Sequence, residues 1–556
     1  MRFREKNALS PNRSHSSQLA ARDYDAIVVG AGFAGLYMLH KLREAGLTAV
    51  VFEAASDVGG VWYWNRYPGA RCDVESLQYS YSFSEDLQQD WVWSQRFAEQ
   101  PEILAYIRHV ADRFDLRRDI VFDTRVDAMV FDESASLWQV RTNKGGVARA
   151  KFCMMASGSL SAARVPDFPG IETFAGQCFH TGDWPHTRVD LRGRRVAIIG
   201  TGSSGIQAVP VIAAEAAQLY VFQRTPNFVI PARNQPLDDE KQRVWKRNYA
   251  QHSAKARLVG TAYELSDKGA LDVSAAERQH EYDRRWNEGG VNFVHSFKDI
   301  YLDMAANDTA ADFVRARIRD LVTDPEVSAR LAPTDHPLGT KRICVGADYY
   351  EAFNRANVEL VDVRAAPIQA ITATGIKTHA MDYAVDTIVF ATGYDALTGA
   401  LTRIDIRGRG GLALKDKWVD GPRNYLGLMT AGFPNFFIIT GPGSPSVLIN
   451  MIVAIEQHVE WIARCITDLD GRGASLIEAN VEAEDFWVAH VNAEADLTLF
   501  PKANSWYVGA NIPGKPRVFL PYVGGIGRYR ARCDDIAARN YEGFRITTRG
   551  AGETAA

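Results

Sequence analysis

Short apolar runs alternate with glycine turns and amphipathic stretches at the start of the chain. The run Ala26–Val29 has the length and composition of a buried strand, and apolar residues then recur at helical spacing over Leu36–Ala45. Gly46 follows directly, as is typical of the end of a helix. The apolar run 47–54 predicts a second strand. Strand, turn, helix and strand within about 30 residues predict one βαβ unit of a parallel sheet.

The same order of elements returns at 194–223. The stretch "RRVAIIGTGSSGIQAVPVIAAEAAQLYVFQ" again contains an apolar run, a glycine turn, a helical pattern and a second apolar run. Because this second βαβ unit lies far from the first in the chain, we expect two domains of the same α/β class.

The segment 231–332 has a different character, since it is charged and helix-forming over most of its length. Ser274 followed by Glu277 matches the capping box that marks a helix start. An apolar stripe at helical spacing runs from Val314 to Val322. Strand-like segments resume after this region, so it predicts a helical insertion in the second α/β domain.

Composition changes this picture little. The 556 residues are 46% hydrophobic and 23% charged, with a formal net charge of −4, which gives no reason to expect nucleic acid or a membrane as partner. Six cysteines without a C-x-x-C pair indicate no metal site and favour a reducing compartment. Residues 1–22 are polar and predict a disordered tail rather than a secretory signal. No apolar run approaches about 18 residues, so we expect no transmembrane helix. Together with the scattered cysteines, this favours a cytoplasmic protein.

The first glycine turn has the pattern of a dinucleotide site. Gly30, Gly32 and Gly35 fit G-x-G-x-x-G directly after a strand and at the start of a helix. The first glycine allows the tight turn, the second lets a pyrophosphate approach the backbone, and the third allows close packing of helix on strand. The helix N-terminus favours phosphate. Glu53, at the end of the second strand, is placed to accept hydrogen bonds from ribose hydroxyls.

The second glycine turn, with Gly200, Gly202 and Gly205, repeats this pattern with one difference. Arg224 stands close to the place where the first unit has Glu53. A carboxylate there would repel a 2′-phosphate, whereas an arginine would pair with it. The second site therefore predicts NADP rather than NAD.

The strand after the first glycine turn ends in an acid, Glu53, and the strand after the second is followed by Arg224. This combination in one chain predicts FAD and NADPH as cofactors. The expected fold class is α/β, with two Rossmann-like dinucleotide-binding domains for FAD and NADP and a helical insertion in the NADP domain. A dithiol reductase would need a cysteine pair near the flavin, so the sequence favours a monooxygenase that uses O2 there. We expect an FAD domain of 23–158 and 394–556, an NADP domain of 159–230 and 333–393, and an insertion of 231–332.

The stretch "FAGQCFHTGDWP" before the second turn resembles the F-x-G-x-x-x-H-x-x-x-W-P fingerprint of Baeyer–Villiger monooxygenases. The resemblance extends from about Tyr24 to Gly543 and includes "GGVWYWNRYPGARCDVES", "GTKR", "ATGYDALTG", "GPGSPSVLINM" and "SWYVGANIPGKPRVF". These motifs are similar to the phenylacetone monooxygenase and steroid monooxygenase branch. The fingerprint positions are Phe174, Gly176, His180, Trp184 and Pro185.

The fingerprint stretch admits two interpretations. His180, Asp183 and Cys178 together suggest a catalytic cluster. Its place between the two glycine turns instead favours a connection from the FAD domain to the NADP domain. We expect His180 to form hydrogen bonds within this connection and Trp184 to anchor it by packing.

The resemblance implies that Arg342 in "GTKR" is the active-site arginine and that Asp73 lies beside it and the flavin, so both are expected to be catalytic. With the glycine turns, the implied FAD-binding residues are Gly30, Gly32, Gly35, Glu53, Gly60, Val61, Trp62, Tyr63, Asp73, Tyr79, Val126 and Met451. The implied NADP-binding residues are Arg71, Cys72, Asp73, Thr201, Gly202, Ser203, Ser204, Gly205, Gln207, Arg224, Thr225, Lys341, Arg342 and Trp506. Ser446, Val447 and Leu448 are implied to border the substrate pocket, and no metal is expected.

The resemblance further implies NADPH- and O2-dependent conversion of a ketone to an ester or lactone, through a flavin peroxide and a Criegee adduct, with sulfides as additional substrates. A guanidinium stays charged at every working pH and suits the task of holding negative charge on oxygen. Two alternatives stay open, an N-hydroxylating flavin monooxygenase and a non-catalytic NADP-binding protein. The sequence leaves open which ketone is used and the oligomeric state, and it is compatible with a monomer.

Overall fold

The computed structural model describes residues 22–548, so the predicted tail 1–22 lies outside the described residues except for its last position. The strands, in chain order, are β1 (Arg22–Val29), β2 (Ala49–Phe52), β3 (Ile120–Val121), β4 (Val126–Asp132), β5 (Leu137–Thr142), β6 (Val147–Met155), β7 (Gln177–His180), β8 (Arg195–Ile199), β9 (Gln218–Gln223), β10 (Val229–Pro231), β11 (Cys344–Gly346), β12 (Val358–Asp362), β13 (Ile368–Thr372), β14 (Gly375–Thr378), β15 (Asp382–Ala384), β16 (Thr387–Phe390), β17 (Asp405–Arg407), β18 (Phe436–Ile438), β19 (Ala474–Ala479) and β20 (Phe544–Thr548). The α-helices are α1 (Phe33–Glu44), α2 (Val61–Trp64), α3 (Glu85–Asp90), α4 (Gln100–Arg113), α5 (Ser203–Glu215), α6 (Asp239–Arg247), α7 (Tyr249–Val259), α8 (Ala275–Glu288), α9 (Met304–Leu321), α10 (Pro325–Leu331), α11 (Gly399–Thr402), α12 (Leu414–Lys417), α13 (Met451–Gly471), α14 (Val481–Asp496) and α15 (Ile526–Ala538).

The first βαβ unit forms the centre of a large sheet with the strand order β17–β4–β5–β6–β1–β2–β3, and β18 also pairs with β6. β1 runs parallel to both neighbours, whereas β4, β5 and β6 pair antiparallel. The side chains of Ala26 and Val28 belong to the core that α1 and α13 share, while Ile27 and Val29 belong to a core on the other face. Burial on both faces explains why this strand is a continuous apolar run.

The second βαβ unit forms a five-stranded sheet in the order β12–β9–β8–β16–β7, with every pair parallel. Ile206 and Ile212 of α5 pack with Val196 and Ile198 of β8 on one face. A separate apolar cluster that contains Ala197 covers the other face. The predicted α/β class with two Rossmann-like units is therefore confirmed.

Helices α6 to α10 lie in the chain between β10 and β11, in the region predicted to be helical. Ser274 caps α8, because its side chain accepts a hydrogen bond from the backbone N–H of Glu277 at 3.2 Å. The carboxylate of Glu277 pairs with Lys268 at 2.7 Å. Val314 and Ile318 of α9 are buried in the same core as the five-stranded sheet, so these helices pack on the second α/β unit.

The fingerprint segment differs from its prediction as a connection. Gln177–His180 forms β7, the edge strand of the five-stranded sheet, and pairs in parallel with β16. The residues of β7 form neither a continuous apolar run nor a strict alternation of apolar and polar positions, so no local pattern identifies the strand. The prediction was therefore wrong for this part of the segment, because β7 is defined by pairing with a strand much later in the chain.

Within the described part of the chain, none of the helices combines the length and the apolarity needed to cross a bilayer. Residues 22–548 also contain no cluster of His, Cys, Asp and Glu side chains that could hold a metal ion. The six cysteines are all free.

Candidate active site

One cavity of about 1310 Å³ connects the turn after β1 with the turn after β8. Ligands of open α/β sheets bind at this place, beyond the carboxyl ends of the strands. The cavity brings together most of the predicted cofactor residues. Those that line it are Gly30, Gly32, Glu53, Gly60, Val61, Trp62, Arg71, Cys72, Asp73, Tyr79, Val126, Thr201, Gly202, Ser203, Ser204, Gln207, Arg224, Thr225, Lys341, Arg342, Val447, Met451 and Trp506.

The turn after β1 has the geometry of a phosphate cradle. Gly30 adopts a φ of 105°, and a Cβ there would lie 2.6 Å from the carbonyl oxygen of Ala156, so a side chain does not fit. A Cβ on Gly35 would lie 1.8 Å from the carbonyl oxygen of Gly30, which explains why Gly35 packs α1 on β1 and does not face the cavity. Gly32 precedes α1, whose first turn has neither a side-chain cap nor an acid. Its free N–H groups fit a pyrophosphate.

Glu53 directly follows β2 and is 5% exposed. Its carboxylate accepts hydrogen bonds from the backbone N–H groups of Ala31 at 2.6 Å and Ala55 at 2.7 Å. Burial raises the pKa of Glu53, although these hydrogen bonds act in the opposite direction. Since each carboxylate oxygen has two lone pairs, acceptor capacity remains for ribose hydroxyls. The position therefore fits the predicted ribose contact.

The turn after β8 repeats the cradle. Gly200 has a φ of 114°, and a Cβ there would lie 2.3 Å from the carbonyl oxygen of Ala391. A Cβ on Gly205 would lie 2.2 Å from the carbonyl oxygen of Gly200, so Gly205 also serves packing rather than the cavity. A Cβ on Gly202 would meet no atom within 4 Å, because this glycine borders open cavity. The helix α5 that starts here has no acid in its first turn, which again fits phosphate.

Positive charge gathers at the end of the cavity beyond the second turn. Arg224 and Lys341 line the cavity there, and no carboxylate of residues 22–548 forms an ion pair with either. Burial lowers the pKa of Lys341, and the nearby charges of Arg224 and Arg364 lower it further, against the effect of Asp335. An excess of positive charge is the chemistry that a 2′-phosphate requires.

Arg342 and Asp73 form an ion pair on the cavity wall. Nε of Arg342 lies 2.8 Å from Oδ2 of Asp73, and Nη2 lies 2.9 Å from Oδ1. Nη1 donates to the carbonyl oxygen of Val447 at 2.9 Å. The side chains of Arg342 and Asp73 are 28% and 17% exposed, so solvent screens the pair weakly while a ligand in the cavity can still reach it.

Tyr507 is a further group at this arginine. Burial works against the charge of Arg342, but Asp73, and after it Tyr507, hold the pKa of Arg342 well above its ordinary value. Burial raises the pKa of Tyr507 to about 12, although Arg342 acts to lower it. At working pH the arginine is therefore a cation and the tyrosine is neutral. Tyr507 was not among the predicted site residues, although it follows Trp506 in the motif "SWYVGAN".

Several predicted site residues do not line the cavity. Tyr63 turns its hydroxyl to Ser56 Oγ at 2.7 Å. Ser446, with a φ of 39°, accepts the N–H of Val447 at 2.6 Å through its own Oγ. It therefore shapes the loop whose carbonyl holds Arg342. The predicted residues outside the cavity wall are Gly35, Tyr63, Gly205, Ser446, Leu448, Phe174, Gly176, His180, Trp184 and Pro185.

The fingerprint residues have a structural setting of their own. The backbone N–H of Gly182 donates to Nδ1 of His180 at 2.9 Å, so Nε2 carries the proton and donates to the carbonyl oxygen of Arg164 at 3.1 Å. Burial lowers the pKa of His180, which favours this neutral form. Trp184 is buried, and its backbone N–H donates to the carbonyl oxygen of Trp64 at 3.2 Å. The segment therefore contacts both α/β units.

Residues that were not predicted from the sequence also line the cavity, among them Arg164, Tyr394, Ser505 and Asn511. Ser505 Oγ and Asn511 Oδ1 are buried without a hydrogen-bond partner in the part of the chain that the structure describes. Unpaired polar atoms on a cavity wall indicate that a polar ligand completes their hydrogen bonds. Both belong to the motif "SWYVGAN", which was the available signal in the sequence.

Comparisons with known proteins agree with this geometry. The family model "Flavin-binding monooxygenase-like" matches residues 24–237. A Baeyer–Villiger monooxygenase of Pseudooceanicola batsensis is 44% identical over 96% of this chain and 97% of its own length. A phenazine N-monooxygenase of Lysobacter antibioticus is 43% identical over 94% of this chain and 96% of its own. The structure of a steroid monooxygenase bound to NADP matches with a TM-score of 0.90 at 53% identity, over 94% of this chain and 99% of that chain.

Two Rossmann-like units whose glycine turns border one cavity, with an arginine–aspartate pair on its wall, define a two-dinucleotide-binding flavoprotein. High identity over nearly the whole length shows that the chain belongs to the Baeyer–Villiger monooxygenase family. It is therefore a flavin-dependent monooxygenase, and the family predicted from the fingerprint and the motifs is confirmed.

Proposed function

We propose that the protein uses NADPH and O2 to insert one oxygen atom next to the carbonyl group of a ketone, which gives an ester or a lactone. One atom of O2 enters the product and the other leaves as water, with two electrons from NADPH and one proton from solution. The Arg342–Asp73 ion pair, on the wall of a cavity that borders both dinucleotide turns, is the observation that carries this proposal.

The cofactors are FAD and NADPH. FAD fits the turn after β1, where Glu53 faces the cavity, and NADP fits the turn after β8, where Arg224 and Lys341 also line it. When bound, the flavin accepts a hydride from NADPH and activates O2. On this assignment the FAD domain comprises 23–158 and 394–556, the NADP domain 159–230 and 333–393, and the insertion 231–332.

Arg342 stabilises the negative charge that develops on oxygen during the transfer. Of its five N–H groups, Asp73 accepts two and the carbonyl of Val447 one, so within residues 22–548 two remain for a ligand in the cavity. Asp73 fixes the direction of the guanidinium by accepting two parallel hydrogen bonds. A preorganised donor of this kind contributes about 2.7–4 kcal/mol to transition-state stabilisation.

The substrate binds next to Arg342, on a wall that includes the apolar side chains of Val447, Ile449 and Met451. Ser446 and Leu448, which were predicted to border the pocket, belong to the same loop but do not line the cavity. An apolar wall with one fixed cation suits a ketone with hydrocarbon substituents. It also suits a thioether, whose sulfur can accept an oxygen atom, so we include sulfides among the substrates.

The test is to incubate the purified holoenzyme with NADPH, 18O2 and a panel of aryl, steroid and cyclic ketones. We expect an ester or lactone that carries one labelled oxygen, with one NADPH consumed per product. Steady NADPH oxidation that yields only hydrogen peroxide with every ketone would contradict the proposal.

A second candidate is oxygen transfer to the nitrogen of an aromatic heterocycle. The identity of 43% to a phenazine N-monooxygenase over most of the chain favours it. The same assay with phenazine and with a primary amine separates the two candidates. Turnover of nitrogen substrates without any ketone turnover would replace the first candidate by the second.

A further inference from the structure

Arg164 lies on the cavity wall, where several segments of the chain meet. Its backbone N–H donates to the carbonyl oxygen of Gly393 at 3.1 Å. Its carbonyl oxygen accepts from Thr392 Oγ1 at 2.5 Å and from His180 Nε2 at 3.1 Å. Its side chain donates through Nη1 to the carbonyl oxygen of Asn511. The backbone of Arg164 is thus fixed on one side, while its guanidinium reaches a different segment.

That segment is the stretch 504–516, which carries Trp506 and is called the loop here. Asn511 Nδ2 donates to the carbonyl oxygen of Tyr394 at 2.7 Å. Lys515 Nζ pairs with Asp395 at 2.7 Å. The loop therefore docks on residues 394–395 and on Arg164 together.

Arg164 also faces positive charge. Arg224 lines the same cavity. Burial lowers the pKa of Arg164, and repulsion from the charge of Arg224 lowers it further. The carboxylate that opposes this effect is Asp395, which already pairs with Lys515. Within residues 22–548 neither arginine forms an ion pair. Two neighbouring cations on a cavity wall are stabilised when a multivalent anion binds between them.

We propose that Arg164 binds the 2′-phosphate of NADP together with Arg224 and links that phosphate to the position of the loop. The inference rests on the use of NADP proposed above and adds a residue that neither the glycine turn nor the fingerprint identifies. The guanidinium can serve both partners, because one N–H donates to Asn511 O while the others stay available to oxygen acceptors.

The fingerprint histidine, His180, holds the backbone of Arg164 in place. Because Gly182 fixes the tautomer of His180, its Nε2–H donates to the carbonyl oxygen of Arg164. His180 therefore acts as a positioning residue, which holds the backbone from which the Arg164 side chain extends. It does not touch the cavity itself.

The first test compares NADP⁺ and NAD⁺ binding to the FAD-loaded protein by titration calorimetry. In Arg164→Gln we expect the Kd for NADP⁺ to rise about tenfold or more, as for loss of one charge-assisted hydrogen bond, with the Kd for NAD⁺ nearly unchanged. Arg224→Gln should show the same selectivity, and Arg164→Lys should recover part of the affinity. Arg192→Gln, an exposed arginine paired with Asp190, is the matched control for lost charge and should change neither constant.

The second test measures hydrogen–deuterium exchange of the loop with saturating NADP⁺. We expect NADP⁺ to slow exchange at 504–516 in the wild-type protein and to do so much less in Arg164→Gln, whose flavin content and circular dichroism should match the wild type. Equal loss of NADP⁺ and NAD⁺ affinity, or unchanged loop protection, would overturn the inference. A wild-type protein without preference for NADP⁺ would overturn the proposed function as well, whereas a preference that Arg164→Gln retains overturns this inference alone.

Discussion

Arg342 and Asp73 are 269 positions apart in the chain, yet they join through two hydrogen bonds of 2.8 and 2.9 Å. Asp73 follows α2, next to the large sheet, whereas Arg342 precedes β11, near the five-stranded sheet. The pair therefore links the two α/β units at the cavity that both border. The cation of Arg342 can therefore act on groups bound to either unit. Asp73, next to the large sheet, sets the direction of the guanidinium.

Replacement of Arg342 by alanine should separate the two halves of the reaction. Flavin reduction by NADPH should continue, slowed at most several-fold, because it does not need charge stabilisation on oxygen. Ester formation should fall by about 10²–10³-fold, and hydrogen peroxide should replace the ester. Stopped-flow absorbance measures the first step, and mass spectrometry with a peroxide assay measures the second. Arg342→Lys keeps the charge but loses the planar set of guanidinium donors, so its rate of ester formation should lie between those of the wild type and Arg342→Ala. Normal ester formation in Arg342→Ala would refute the proposed stabilisation of negative charge by Arg342.

Asp73→Asn tests whether the carboxylate positions the guanidinium. Asparagine has nearly the same shape but no charge, and its amide nitrogen cannot accept a hydrogen bond. Loss of one charge-assisted hydrogen bond is expected to lower product formation by about 10–100-fold, with a larger share of NADPH converted to peroxide. The ratio of ester to NADPH consumed gives the readout. A variant with wild-type coupling and rate would show that Val447 and Tyr507 suffice to orient Arg342.

Local patterns predicted the elements of this fold well, because strand and helix periods are local. The runs around Gly30 and Gly200 identified both βαβ units, and the glycine pattern identified both phosphate cradles. The pairing of Arg342 with Asp73 came from the family resemblance, since no local period encodes a contact over 269 positions. The same limit explains why β7 was missed.

Contacts that depend on tertiary packing had no local signal at all. The hydrogen bond of Arg164 to Asn511 joins residues 347 positions apart, and Tyr507, on the same loop, raises the pKa of Arg342. Ser446 was assigned to the pocket together with Val447, because the family resemblance implies that their loop borders it. In the structure only Val447 lines the cavity, because neighbouring residues of a tight turn point in different directions.

His180→Ala should raise the KM for NADPH by the same factor with every ketone. The substitution removes the hydrogen bond to the carbonyl of Arg164, and His180 does not line the cavity in which the ketone binds. The KM for NADPH should rise several-fold while the KM for each ketone stays constant in steady-state assays. His180→Gln can place an amide N–H near the position of Nε2 and should restore part of the effect. An effect confined to oxygen insertion would instead support a catalytic histidine.

A buried glutamate that does not line the cavity should make stability depend on pH. Glu456, on α13, is 3% exposed and accepts hydrogen bonds from Ser82 N and Ser82 Oγ, each at 2.5 Å. Burial raises the pKa of Glu456 from 4.5 to about 7, although the Ser82 hydrogen bonds act against this. Among the charged groups nearby, Glu460 raises the pKa and Arg257 lowers it.

Because the folded-state pKa of Glu456 is raised, the folded state binds more protons than the unfolded state between about pH 4.5 and 7. The stability from this group is therefore fully present below the unfolded-state pKa and is lost as pH rises through 7. Relative to Glu456→Gln, the free energy of unfolding of the wild type should fall by about 3 kcal/mol across this window and then stay level. Urea denaturation of both proteins at several pH values measures the difference between their free energies of unfolding. The contributions of the other titrating groups cancel in this difference. A constant difference across the window would mean that Glu456 keeps the same charge in the folded and unfolded states.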